Sequence, residues 1–274
     1  MPATPKLVEK PPRFGGRRLL SVSGDVLRPG VYEVPIGLPL GELFSGPDYC
    51  GGVLGTLKAV ATSGPSGGIL PAKYPLPPDF HAKFAEQLAR KKDRARKDGE
   101  SKRADAVKAG KEYREPAEEA YSLEEWFVAT HLPAGATHFD LTTAPIDLKF
   151  FGMMADLVGL PVSPLLGAGI VVYADTADIL DQAVCFTRFF RNESCGKCVP
   201  CRLGAEKLVR IGESLLAARR KGDNPEVAAV RSDINDVAWA LTQTSICSLG
   251  TSAATPLACA LTYFPDEVAN GRAD

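Results

Sequence analysis

Three cysteines fall within seven consecutive residues of this 274-residue chain, in the segment ESCGKCVPCRLG. Cys195, Cys198 and Cys201 follow a Cys-x-x-Cys-x-x-Cys pattern, and a fourth cysteine, Cys247, lies 46 positions after Cys201. Two-residue gaps allow a tight loop to present three thiolates to one centre, while a fourth thiolate arrives from a distant segment. The chain must therefore fold so that these two segments meet.

The rest of the composition favours metal binding over disulfides. The N-terminus lacks the apolar core of a secretory signal peptide, and no run approaches the ~18–20 apolar residues of a membrane span. We therefore expect a cytoplasmic protein without direct membrane insertion, where clustered cysteines more often bind metal. The formal net charge is −1, from 32 basic and 33 acidic residues. That balance gives no reason to expect nucleic acid as a partner.

The spacing of the four cysteines is typical of an iron–sulfur cluster. A [4Fe–4S] cube needs four thiolates, one for each iron, and three-plus-one spacing supplies them. Structural zinc sites usually have two separated Cys-x-x-Cys pairs, so zinc is the weaker alternative. Gly196 permits backbone conformations closed to other residues, and Pro200 stiffens the end of the loop. Lys197 and Arg202 can stabilise the negative charge of a reduced cluster.

The remaining cysteines and the histidines are expected to have ordinary structural roles. Cys185 and Cys259 are predicted to be small buried hydrophobes on helices. Cys50 lies in a glycine turn and is assigned no role. The histidines are scattered, lack paired-ligand spacing and are expected at the surface or with satisfied ring nitrogens: His81, His131 and His138. No general acid, base or nucleophile is evident, so no catalytic residue is predicted.

The first two thirds of the chain reads as a flexible tail followed by a β-rich domain. Residues 1–17 are rich in proline and basic residues, and the domain is predicted over 18–175. Alternating LLSVSGDV and VYEVP, separated by the turn RPG, indicate a hairpin. Gly37–Phe44 is predicted as a short helix, and LKAVATSG and AGIVVY as strands. SGPSGG, residues 63–68, is expected to be a plain turn, with an anion-binding loop as the weaker alternative.

A highly charged segment interrupts this domain at about 81–125. Between Lys83 and Arg114 lie twelve lysines and arginines against six aspartates and glutamates. Such a segment buries too little apolar surface to offset the conformational entropy that it would lose on folding. It is predicted to be a solvated helix or a mobile loop inserted into the domain, and a docking site for an acidic partner is the weaker alternative.

Residues 176–274 are predicted to form a helical domain that holds the cluster. Asp175 or Thr176 can cap a first helix, and apolar spacing indicates a second helix around Leu208 and a third around Ile234. A fourth helix is predicted over Ala253–Phe264. No internal repeat is evident.

Both cysteine segments resemble a known family. ESCGKCVPCRLG followed by SICSLGTSAATPL resembles the iron–sulfur region of the NADH-binding flavoprotein subunit of respiratory complex I. The region that these segments resemble also occurs in the diaphorase subunits of NAD-linked hydrogenases and formate dehydrogenases. LSVSGDVLRPGVYEVP and LGAGIVVYAD resemble the soluble-ligand-binding β-grasp module that precedes that region. The resemblance covers about residues 18–80 and 139–268, and the charged segment lies outside it.

The resemblance implies a fold, a ligand set and a function. The fold is α+β: a ubiquitin-like β-grasp domain with a charged insertion, followed by a four-helix iron–sulfur domain. The family ligands carry over to Cys195, Cys198, Cys201 and Cys247. The implied function is one-electron transfer through the cluster, as a subunit or detached domain of an NADH dehydrogenase or diaphorase-type oxidoreductase.

The resemblance also implies partners. These are other redox subunits, one carrying flavin and NADH sites and one carrying further iron–sulfur clusters, in an assembly that can be peripheral to a membrane complex. Family members begin with a glycine-rich FMN- and NADH-binding domain, and no GxGxxG or GRGGAGFPTG-like run occurs here. The chain is therefore expected to bind neither FMN nor NADH and not to be catalytic alone. The alternative is a ligand- or partner-binding scaffold whose metal site, iron–sulfur or zinc, is structural.

Overall fold

The computed structural model describes residues 15–113, 122–152, 165–223 and 227–271. Its strands are β1 (Arg17–Gly24), β2 (Gly30–Pro35), β3 (Leu57–Pro65), β4 (Ile69–Pro71), β5 (Lys73–Pro75), β6 (His138–Asp140) and β7 (Gly169–Ala174). Its helices are α1 (Leu40–Ser45), α2 (Phe80–Lys108), α3 (Ser122–His131), α4 (Ile179–Glu193), α5 (Val199–Lys221), α6 (Val227–Thr244), α7 (Ser248–Ser252), α8 (Thr255–Tyr263) and α9 (Pro265–Asn270). The architecture is α+β, as predicted. Residues 1–14 of the predicted tail lie outside the described residues, and Arg17 already belongs to β1.

One mixed sheet organises the β-rich part, with strand order β2-β1-β7-β3-β4. The predicted hairpin is present, with β1 antiparallel to β2 and Leu20 opposite Tyr32. In the centre, β1 runs parallel to β7, and Val22 lies opposite Ile170. Strand β3 is antiparallel to both β7 and β4. Strands β5 and β6 form a separate pair. Sequence analysis missed β4, β5 and β6, because three-residue strands are too short to show an alternating pattern.

The sheet has a hydrophobic cluster on each face. Val60 of β3 belongs to a cluster of aliphatic and aromatic residues that also includes Phe127 and Phe150. Its neighbours Ala59 and Ala61 belong to a second cluster, which includes Leu180 of α4 and Leu257 of α8. Successive side chains of a strand point to opposite faces, so the two faces of β3 contribute to different hydrophobic clusters. The helical part therefore packs directly on the sheet.

An ion-pair network reinforces this contact. Glu267 of α9 accepts a hydrogen bond from the backbone amide of Ile179 at 2.7 Å. Its other carboxylate oxygen pairs with Lys58 Nζ of β3 at 2.6 Å. Lys58 also donates to the carbonyl of Ala177 at 2.8 Å. These bonds tie the sheet, the start of α4 and the last helix together.

The charged segment was predicted to be either a solvated helix or a mobile loop. The structure has a long helix there, Phe80–Lys108. Helix α2 spans 29 residues, and its buried residues are Phe80 and Phe84. Beyond them its side chains pair along the helix, as in the contacts of Arg96 with Asp93 and Glu100. Pairs three or four residues apart stabilise an exposed helix by about 0.2–0.5 kcal/mol each. Residues 114–121 of the segment lie outside the described part.

The four helices predicted over 176–274 correspond to α4, α5, α6 and α8. Two short helices, α7 and α9, were not predicted, since five or six residues show too little helical periodicity. Helix α4 begins after Asp178, whose carboxylate accepts a hydrogen bond from the amide of Asp181 at 3.1 Å. The predicted cap at Asp175 or Thr176 was therefore wrong by two to three positions.

Candidate metal centre

The two cysteine segments meet at the start of α5. Cys198 occupies the N-cap of α5, and Cys201 lies in its first turn. Cys247 occupies the N-cap of α7. The backbone amide of Ile246 donates a hydrogen bond to Cys198 Sγ at 3.4 Å. The fold therefore brings the segment carrying Cys247 against the first cysteine segment, although 45 residues lie between Cys201 and Cys247.

The loop before α5 depends on particular residue types. Gly196 has a φ of +74°, in the left-handed region that residues with a Cβ avoid. The Arg202 side chain lies over it, with its Cδ 3.6 Å from the position a Cβ would take. Pro200 lies in the first turn of α5, where the missing amide would have no partner within the helix. The chain can therefore reverse sharply after Cys195 and begin a helix at once.

The four cysteines differ in exposure. Cys201 is 6% exposed, and Cys198 is half-buried. Cys195 and Cys247 are exposed. We call the first two the inner cysteines and the last two the outer cysteines. A group bound by all four would have one side enclosed by helices and one side open to the surface.

Two serines surround the inner cysteine Cys201. Ser194 Oγ lies 3.4 Å from Cys201 Sγ and accepts a hydrogen bond from the amide of Gly196 at 3.3 Å. Ser245 Oγ is buried and has no hydrogen-bond partner among the described residues. Gly250 lies beside the side chains of Ser245 and Cys201. A Cβ atom at Gly250 would overlap Ser245 and lie 3.2 Å from Cys201 Sγ. Ser194, Ser245 and Gly250 were not predicted as site residues. Their closeness to the cysteines in sequence is the one signal that could have indicated a role.

Helical glycines hold the surrounding helices close together. A Cβ on Gly204 of α5 would lie 3.0 Å from a methyl group of Leu241 on α6. A Cβ on Gly212 of α5 would lie 2.7 Å from a methyl group of Val184 on α4. Because Val184 is β-branched, its side chain has little freedom to move away. The site therefore rests on close crossings of α5 with α4 and α6.

The surface around the cysteines carries more positive than negative charge. Three ion pairs involve the acidic residues of α5: Arg188–Glu213, Arg191–Glu206 and Arg210–Glu206. Lys197, Arg202 and Lys207 are exposed and form no ion pair within the described parts of the chain. We call these three residues the cationic rim. Lys197 lies between Cys195 and Cys198 in the chain, and Arg202 directly follows Cys201, so with the exposed Glu193 the first cysteine segment has a net positive charge.

Four thiolates are the donor set that an iron–sulfur cube takes. Within the described ranges, no three His, Cys, Asp or Glu side chains converge closely enough to hold one metal ion. A cube uses one thiolate for each of four irons, so its ligands need not converge on one point. The buried Ser245 hydroxyl, which has no hydrogen-bond partner among the described residues, lies close to Cys201, since both side chains are next to Gly250.

The other cysteines have contrasting environments. Cys259 is buried, as predicted, and burial raises the pKa of its thiol to about 12. Burial also raises the pKa of the Cys50 thiol. Cys185 is exposed on α4, so the prediction that it is a buried hydrophobe was wrong. Other positions of this helix are buried, such as Leu180, which belongs to the same hydrophobic cluster as Ala59 and Ala61 of β3.

Alkylation of the folded, cluster-loaded protein at pH 8 should therefore modify Cys185 alone. Thiolates rather than thiols react, and with a pKa of about 12 Cys259 stays protonated far above pH 8. Mass spectrometry after brief iodoacetamide treatment checks this. Denatured protein should label at all seven cysteines. Rapid labelling of Cys259 in the folded protein would contradict the buried environment described here.

The three histidines lie away from the cysteines in sequence and do not all follow the prediction. His138 is exposed and bonded to Thr137. His131 packs against the rings of Trp126 and Phe127, and burial lowers its pKa. His81 Nε2 is buried without a hydrogen-bond partner among the described residues. The expectation of a satisfied or exposed ring therefore fails for His81.

Comparison with known proteins identifies the class of the cysteine-bearing part. Residues 181–271 match the family model described as the NADH-ubiquinone oxidoreductase-F iron–sulfur binding region. This part of the chain is similar to that iron–sulfur binding region, and the predicted [4Fe–4S] cofactor is confirmed. The predicted resemblance to the C-terminal part of that flavoprotein subunit is confirmed as well.

Curated relatives share this similarity, two of them over most of the chain. The F subunit of NADH-quinone oxidoreductase in Mycobacterium tuberculosis is 26% identical over 259 residues, which cover 94% of this chain and 39% of the relative. A second F-type subunit of the same enzyme, in Rhizobium meliloti, is 26% identical, covering 94% and 42%. The Rickettsia bellii counterpart is 32% identical over 109 residues, covering 39% and 24%. The chain spans about two fifths of the length of the first two relatives.

A solved structure shares the fold. It is a chain of the NAD⁺-reducing [NiFe]-hydrogenase in the H₂-reduced state, with a TM-score of 0.56 and 22% identity. The match covers 92% of this chain and 29% of that chain. No helix within the described residues is long and apolar enough to cross a membrane.

Proposed function

We propose that this chain transfers single electrons within an NADH dehydrogenase-type oxidoreductase, with its [4Fe–4S] cluster held by Cys195, Cys198, Cys201 and Cys247. The contact between Ile246 and Cys198 carries the proposal, because it joins the two segments whose spacing fits four thiolates. When bound, such a cluster accepts and releases one electron at a time. The chain's own residues supply the thiolates, exclude water from the inner side and leave the outer side accessible.

The rest of the proposed architecture follows from the family resemblance. We assign the sheet of residues 18–175 to a β-grasp domain with an insertion at about 81–125, and residues 176–274 to a helical domain with four main helices. The parallel pairing of β1 with β7 supports the first assignment. The second hydrophobic cluster, which joins α4, α5, α6 and α8, supports the second.

The proposed partners are redox subunits, one with flavin and NADH sites and one with further iron–sulfur clusters. Three exposed apolar residues lie within two positions of proposed ligands in sequence: Val199 is 52% exposed, Leu203 60% and Ile246 74%. Exposed apolar groups bordered by polar ones are typical of protein contact sites. The cationic rim beside them favours a partner whose contact surface is acidic. We propose that flavin and NADH bind such a partner rather than this chain.

Reduction and reoxidation of the anaerobic, cluster-loaded protein test this function. Dithionite should bleach the visible absorption of the cluster, whereas NADH alone should not. Reoxidation by ferricyanide, an anion, should slow severalfold at low salt in the variant Lys197→Gln/Arg202→Gln, because the cationic rim attracts it. Added salt should remove the difference. Lys108→Gln, at the exposed end of α2, is the matched control.

Other outcomes would favour the alternatives. A cluster that dithionite cannot reduce would support a structural metal site in a scaffold protein. Zinc without iron in anaerobically prepared protein would support the zinc alternative. Rapid reduction by NADH would show that the dinucleotide binds this chain.

A further inference from the structure

The Ser194 hydroxyl lies within hydrogen-bonding distance of the sulfur of Cys201. Its Oγ accepts a hydrogen bond from the Gly196 amide at 3.3 Å and lies 3.4 Å from Cys201 Sγ. A hydroxyl has one proton and two lone pairs. A thiolate ligand has no proton to give, so in the loaded site Ser194 must be the donor. Ser194 is also the C-cap of α4, which fixes its backbone.

Ser245 provides a second hydroxyl near the same sulfur. Its Oγ is buried without a hydrogen-bond partner in the described part of the chain, which is unfavourable for a hydroxyl. A Cβ on Gly250 would overlap Ser245 Oγ and lie 3.2 Å from Cys201 Sγ. Ser245 Oγ and Cys201 Sγ therefore both lie close to Gly250. A cluster sulfur within hydrogen-bonding distance of Ser245 Oγ would accept the hydrogen bond that this hydroxyl lacks.

We propose that Ser194 and Ser245 are positioning residues whose hydroxyls donate hydrogen bonds to the sulfurs on the Cys201 side of the cluster and raise its reduction potential. This inference rests on the ligand set of the proposed function. Hydrogen bonds to the sulfurs are among the factors that set cluster potentials. The reduced state carries one more negative charge, so a donor stabilises it more than the oxidised state.

The arrangement makes the two sides of the site unequal. The inner cysteines have close donors, namely the Ile246 amide for Cys198 and the Ser194 hydroxyl for Cys201. The outer cysteines, Cys195 and Cys247, are exposed. Donors on the enclosed side adjust the potential without blocking the side that a partner can approach.

An EPR-monitored potentiometric titration of the anaerobic holoprotein tests the proposal. Ser194→Ala and Ser245→Ala should each shift the midpoint to more negative values, and the double variant should shift it further. Ser248→Ala is the matched control, because Ser248 is exposed next to Cys247 and bonds to no cysteine sulfur among the described residues. It should leave the midpoint unchanged. Ser194→Thr keeps a hydroxyl and should restore the wild-type value.

A second measurement works even if a variant loses part of its iron. ENDOR spectra in H₂O and D₂O should show exchangeable protons near the reduced cluster, and each alanine variant should lose one coupling. An unchanged midpoint and unchanged couplings in the double variant would overturn the inference but leave the proposed function intact. A wild-type protein without a reducible cluster would overturn both.

Discussion

Replacing Cys201 with alanine should lower the iron content of anaerobically purified protein from about four per chain to well below one. Cys201 is the most buried of the proposed ligands, and Ser194, Ser245 and Gly250 surround it. No other described cysteine lies where it can replace this thiolate without moving a helix, since Cys185 is on the surface of α4 and Cys259 packs against Gly68. Iron and sulfide analysis, together with absorption near 400 nm, measures the loss.

Cys185→Ala is the control for this experiment. It removes a thiol from the same helical part at an exposed position and should keep the full iron content. Cys198→Ser should resemble Cys201→Ala, because a serine oxygen is a poor substitute for a thiolate in an iron–sulfur site. Full iron content in Cys201→Ala, or equal loss in Cys185→Ala, would show that the ligand set is wrong.

Removal of the cluster should loosen two short regions far more than the rest of the fold. Amides in 195–203 and 244–252 are expected to lose at least about tenfold in hydrogen-exchange protection, equivalent to ~1.4 kcal/mol. These regions meet through one backbone contact to sulfur, from Ile246 to Cys198. A preformed site is rare without its metal, so binding free energy appears as folding free energy.

The sheet and the helices packed on it should change little. Helices α4 and α8 share a buried hydrophobic cluster with Ala59 and Ala61 of β3, and Glu267 of α9 forms an ion pair with Lys58. Amides of 57–62 and 179–190 are therefore the internal reference. Hydrogen exchange with mass spectrometry on holo and apo protein resolves both sets of peptides. Equal protection throughout in the two states would mean that apolar packing alone holds the cysteine segments.

The sequence by itself determined the features that depend on local pattern. The β1–β2 hairpin, β3 and β7 alternate or run apolar in short segments with turn residues between them, and all four strands are present. The four main helices also follow from their apolar spacing. Cysteine spacing favoured the [4Fe–4S] cofactor over zinc, because structural zinc sites usually take two separated Cys-x-x-Cys pairs rather than three thiolates from one loop and one from a distant segment.

Only the tertiary structure decided what lies around the cysteines. Glycine normally weakens a helix, so nothing in the sequence shows that Gly204 and Gly212 permit the close crossings of α5 with its neighbours. Whether Cys185 is buried depends on which side of α4 faces the sheet, and apolar spacing left that position ambiguous.

The serine hydroxyls show the same limit. Ser194 and Ser245 lie 51 positions apart in the chain, and each is a common polar residue at the end of a helix. Their relation to Cys201 exists because α4, α5 and α6 pack so that three helix ends converge. Sequence pattern specifies which residues can bind the cluster. The packing of helices that are far apart in sequence determines which groups surround the sulfurs.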